Sequence, residues 1–148
     1  MRRVTAVLAF VALTMACDNP TTPHEEHEEP AGLAVFAGTN EILRAIDGEI
    51  TGALPEVEVG TESEVLTVVF LDDHGDALDL AGESDMYLRA RPANTAVATW
   101  DGTGYTGRIV GEAAGATTIE FELMHGEPPS GGHPDFTSLA LDVVVVEP

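Results

Sequence analysis

Five histidines stand in a chain that has 26 acidic residues, six arginines and no lysine. Imidazole and carboxylate together form the ligand set of zinc, nickel and copper. The histidines fall in three places. His125 and His133 lie in one loop, His-Gly-Glu-Pro-Pro-Ser-Gly-Gly-His-Pro-Asp-Phe, which also carries Glu127 and Asp135. His24 and His27 lie in His-Glu-Glu-His-Glu-Glu, and His74 in Asp-Asp-His-Gly-Asp. None of these spacings is a dedicated zinc motif. In the loop, His125 continues the parity of Ile119, Phe121 and Leu123 and is expected at the end of the sandwich interior. His133 returns across a hairpin, so the two imidazoles are expected to converge, with Asp135 or Glu127 as a third ligand. The alternative is that both are solvated loop residues. His24 and His27, at i and i+3, share a face only if a helical turn forms between Pro23 and Pro30. The alternative for that pair is a solvated spacer. Around His74, Gly75 is the fourth residue from Asp72 and not the sixth, as an EF-hand loop requires, so a hairpin turn is expected there.

Other chemistries have little to stand on. The single cysteine excludes an intramolecular disulfide and a cysteine-only zinc knuckle. Ser63, Ser84, Ser130 and Ser138 lie in no Gly-x-Ser-x-Gly setting, and Gly102-Thr103-Gly104 lacks the lysine and helix of a phosphate loop. The net charge of −20 argues against a nucleic-acid backbone and against charge-driven adhesion to an anionic membrane. No enzyme is expected.

The single cysteine has a different role. Met1-Arg2-Arg3 is followed by an apolar run from Val4 to Ala16. At 1.5 Å per residue that run covers roughly 20 Å, short of a bilayer core of about 30 Å, so it reads as a secretory signal. Leu13-Thr14-Met15-Ala16-Cys17 resembles the lipobox of bacterial lipoproteins. That resemblance implies cleavage before Cys17, lipidation of its thiol, and a location in the cell envelope outside the cytoplasmic membrane, held there by acyl chains. The expected organisation is a signal peptide at 1–16, an acidic, disordered tether at 17–31 and one folded domain at 32–148. The tether carries prolines and no large apolar side chain, so it cannot bury a core.

The elements that must position the loop are strands. Short apolar or alternating runs are expected to pair at 32–37, 41–46, 50–59 (broken by Pro55), 65–71, 86–91, 96–100, 105–110, 117–123 and 139–146. The Asp101-Gly102 step is expected to turn the chain, and short helical turns have room near Leu78–Ser84. In the strand at 117–123, Ile119, Phe121 and Leu123 point inward and Glu120 and Glu122 outward to solvent. Trp100 is expected to anchor the core. No run after the signal has a 3.6-residue apolar period, so no crossover helix supports a parallel sheet. The pattern is an all-β antiparallel sandwich of about seven to nine strands.

The stretch from Ala96-Val97-Ala98 through Gly111-Glu112-Ala113-Ala114-Gly115-Ala116-Thr117-Thr118-Ile119 resembles the second half of a bacterial Ig-like domain. The closing strand matches as well, so the likeness runs from about Val65 to Val146. It implies an Ig-like sandwich with a structural or adhesive role and no shared catalytic site. Two functional classes stay open: an envelope-anchored, non-catalytic binding module for a divalent transition metal, and a purely structural surface domain without a ligand.

Overall fold

A computed structural model describes residues 29–126 and 131–148. The proposed signal peptide, Cys17, His24, His27 and Glu127 lie outside the described residues. Eleven strands and no helix are found among those described: β1 (Gly32–Ala37), β2 (Asn40–Ile46), β3 (Glu49–Gly52), β4 (Val57–Glu58), β5 (Leu66–Leu71), β6 (Met86–Pro92), β7 (Ala98–Thr103), β8 (Thr106–Gly111), β9 (Gly115–His125), β10 (His133–Thr137) and β11 (Leu141–Val146). They form a β-sandwich. One sheet has the order β3-β2-β1-β5-β8-β7. In the other, β10-β9-β11-β4 are neighbours in that order and β6 also pairs with β9.

The core is what the alternation of the strands requires. From the first sheet it takes Leu33, Val35, Leu66, Val68, Phe70 and Ile109, and from the second Ile119, Phe121, Leu123, Leu141, Val143 and Val145, all buried. Two edge-to-face ring pairs join the sheets, Phe70 with Phe136 at 5.8 Å and Trp100 with Phe121 at 5.1 Å. Such pairs contribute about 0.5–1.5 kcal/mol beyond the area they bury. Trp100 packs against the core, but from a half-buried position on the edge strand β7.

The strands number eleven among the described residues, not seven to nine, and the pairing of β4 with β11 is parallel, not antiparallel. Four further expectations need correction. The run at 50–59 is two strands in different sheets. β3 closes the first sheet, Pro55 interrupts the ladder, and β4 runs parallel to β11 in the second. The β7–β8 hairpin turns at Gly104-Tyr105, three residues later than Asp101-Gly102. Gly102 instead lies within β7, beside the indole: a Cβ there would stand 2.5 Å from Trp100 Nε1. The closing strand stands where expected, as β11, but the loop before it supplies a strand of its own: 133–137, expected as loop, pairs with β9 as β10. Ser138 makes the break between β10 and β11 inexpensive. Its Oγ accepts from the Phe121 N–H at 3.0 Å and donates to the Leu139 carbonyl at 2.7 Å. Finally, Glu122 does lie on the outer face of β9, yet it is only 2% exposed. Arg89 and Arg91 of β6 cover its carboxylate and donate to it.

The segment 78–85 forms turns without a helix. The Asp72 turn is closed by its own side chain, whose Oδ1 accepts from the backbone N–H of His74 (2.8 Å) and of Asp76 (2.9 Å). Those bonds hold the Asp72 carboxyl below the ordinary carboxylate range, that from Asp76 contributing most.

Candidate metal centre

The long strand β9 carries His125 as its last residue, paired on one edge with Met86 of β6 and on the other with His133 of β10. Leu123, two residues earlier, is fully buried, whereas the His125 side chain is 38% exposed. It therefore emerges at the end of the sandwich, where the two sheets stop covering it. His133 faces it across the ladder, the ring centroids 5.6 Å apart and the planes tilted by 33°.

Asp135 reaches both rings because it is the extra residue of a β-bulge. Pro134 pairs with Met124 and Phe136 with Leu123, which leaves Asp135 without an opposite number. A bulge re-aims the unpaired side chain. The Asp135 carboxylate lies 3.4 Å from His125 Nδ1 through Oδ2 and 3.1 Å from His133 Nε2 through Oδ1. One ligand atom from each of His125, His133 and Asp135 falls within 4.8 Å of the others. Two donors each about 2.1 Å from a tetrahedral zinc ion are about 3.4 Å apart, so closing the set on an ion takes side-chain shifts of about an ångström.

The stem beneath the loop is tied down. The Gly126 N–H donates to the Asp85 carbonyl at 2.8 Å, and the Tyr87 hydroxyl to the Gly131 carbonyl at 2.7 Å. Gly132, at φ 93°, lets the returning strand pass His125 closely, since a Cβ there would meet the His125 carbonyl oxygen at 2.1 Å.

The structure thus brings His125, His133 and Asp135 together. It also adds Asp85, which sequence reasoning missed: Asp85 Oδ2 lies 3.0 Å from His125 Nε2. Forty residues separate the two, and only the pairing of β6 with β9 joins them, so no local pattern marked Asp85.

A second set, Asp72, Asp73 and His74, also brings one ligand atom from each within 4.8 Å of the others. It has one imidazole, and its Asp72 carboxylate is occupied by the turn. His74 and Asp73 are 77% and 80% exposed. It is the hairpin turn expected from the sequence, the poorer of the two ligand sets. The serine hydroxyls of Ser63 and Ser138 are buried against backbone groups, which leaves them no role as nucleophiles. Each of the four arginines among the described residues contacts a carboxylate, Arg44 with Glu41, Arg89 and Arg91 with Glu122, and Arg108 with Glu62.

No family model and no curated protein matches the chain. Among solved structures it is similar to domains 4 and 5 of the S-layer protein SbsC, with 20% identity and a TM-score of 0.43. The match covers 78% of this chain and 66% of that one, and a likeness of this strength implies nothing about activity.

Proposed function

We propose that the chain is a non-catalytic, envelope-located β-sandwich module, lipid-anchored through Cys17, that binds a divalent transition metal (zinc, nickel or copper) at the open end of the β9–β10 hairpin. The observation that carries the metal reading is the convergence of His125, His133 and Asp135, with ligand atoms within 4.8 Å of one another. Two imidazoles and one carboxylate suit these ions and not calcium, which prefers an all-oxygen shell. The anchor reading draws support from the sequence, in which the only cysteine ends the apolar run. The pairing of every described arginine with a carboxylate supports the absence of an anionic partner such as nucleic acid, since no free cationic patch is left among the described residues.

The test is the melting curve of the full chain with zinc, nickel, copper or calcium. A metal that binds only the folded state, at about a hundred times its dissociation constant, adds about 2.7 kcal/mol. One of the transition metals should raise the midpoint, and His125→Ala, His133→Ala or Asp135→Ala should each abolish the rise. His24→Ala should not. If none of the three transition metals moves the midpoint, the structural alternative stands. One observation favours that alternative: Asp85 and Asp135 already flank the His125 ring within 3.0 and 3.4 Å, so the cluster closes as ion pairs when the imidazole is protonated.

A further inference from the structure

We propose that Asp85 is the positioning residue of this centre: it accepts the Nε2 proton of His125 and so leaves Nδ1 unprotonated and turned toward Asp135 and His133. The inference rests on the metal reading above. A neutral imidazole carries one proton, and an ionised carboxylate can only accept. His125 has a carboxylate on each side, at 3.0 Å from Nε2 (Asp85) and at 3.4 Å from Nδ1 (Asp135). The shorter contact is the better hydrogen bond and takes the proton. The opposite tautomer would set the Nε2 lone pair against the Asp85 carboxylate.

The backbone holds Asp85 in place for this. It directly precedes β6, its carbonyl accepts from Gly126, and its neighbour Met86 is the register partner of His125. Metal-bound histidines commonly give their second N–H to a carboxylate in this way, and loss of that carboxylate costs about 10–100-fold in metal affinity. The metal then enters on Nδ1, beside His133 and Asp135, and Asp85 stays off it. Three protein ligands leave a tetrahedral ion one open position. The His133 side chain is 72% exposed, so water can reach an ion held there.

The experiment reads the two nitrogens of His125 directly, by long-range proton–nitrogen NMR of the full chain with labelled histidine. The pH is about 8, above the ordinary histidine range. In the metal-free chain His125 should carry its proton on Nε2. Zinc should shift Nδ1 and leave the Nε2 proton in place. Asp85→Ala should mix the tautomers and weaken zinc binding by about 10–100-fold. Asp85→Asn, whose amide oxygen still accepts, should keep the tautomer and most of the affinity. A proton on Nδ1 in the metal-free chain, a tautomer unaffected by Asp85→Ala, or zinc on Nε2 would each overturn the role of Asp85 while leaving the metal reading intact. Absence of zinc shifts at every histidine would overturn the metal reading, and the positioning role with it.

Discussion

His125 and His133 are register partners across the β9–β10 hairpin, their ring centroids 5.6 Å apart. Eight residues of sequence separate them, and the ladder sets the two rings side by side at the rim of the sandwich. A metal bound there, as proposed, would fasten the two strands at the end of their ladder.

Ligation needs unprotonated imidazole, so metal affinity should fall as the solution is acidified. Isothermal titration of the full chain with zinc across a pH series checks this. An affinity unchanged into acid would mean that carboxylates alone hold the ion. Calcium should give no comparable binding at this site.

Cys17→Ser should release the protein from the membrane fraction or block its processing. The expectation follows from the single cysteine at the end of an apolar run too short to span a bilayer. Fractionation of cells expressing both forms decides it, and a variant that remains with the membranes as before would remove the lipid anchor from the model of this protein.

Deleting Asp18–Pro30 should shift the thermal midpoint by no more than about 2 °C, because that segment has no large apolar side chain to bury. The first described backbone tie of the domain comes after it, from the Ala31 N–H to the Leu71 carbonyl at 2.8 Å. Scanning calorimetry of both forms makes the comparison. A drop of several degrees would show that the segment docks on the sandwich.

Gly107→Ala should destabilise the fold by about 1–3 kcal/mol, the usual cost of overpacking. The new Cβ would stand 2.4 Å from Trp100 Cε2 and 2.8 Å from the Asp101 carbonyl oxygen, so the indole or the β7–β8 ladder must move. Urea unfolding measures the loss. If Trp100→Ala in the same background recovers part of it, the clash with the ring is the cause.

Glu122→Ala should cost about 1.5–3 kcal/mol, the range for hydrogen bonds to charged groups. The arginines are 41% and 57% exposed and can return to water, which keeps the loss from growing larger. Burial pushes the Glu122 carboxyl up, and the bonds from Arg89 and Arg91 overcome this, so its net position is below the ordinary range. A depressed folded-state value means that the stabilisation is fully present above the unfolded value of about 4.3 and is lost as pH falls through the folded value. Stability measured across that acid window should therefore slope less steeply in Glu122→Ala than in the parent chain.

Side-chain alternation is a local property, and the sequence carried it: β5, β9 and β11 lie where their apolar runs stand, and Leu141, Val143 and Val145 share the buried face. The parity of β9 likewise put His125 at the end of the core-facing row, and the hairpin spacing put His133 opposite. Whether an outward residue meets water or another side chain is decided by its neighbours across the sheet. Glu122 was therefore legible as outward but not as buried, since Arg89 and Arg91 come from a strand some thirty residues earlier. The same limit applies to Pro55, which marks a break in a strand without saying that the chain changes sheets there. It applies to Gly102, which has turn chemistry but serves the Trp100 ring. Asp135 gained its place from a bulge and Asp85 from the β6–β9 pairing. Both are matters of register between strands, and register is set by the packing of the whole sandwich, not by any stretch of sequence read alone.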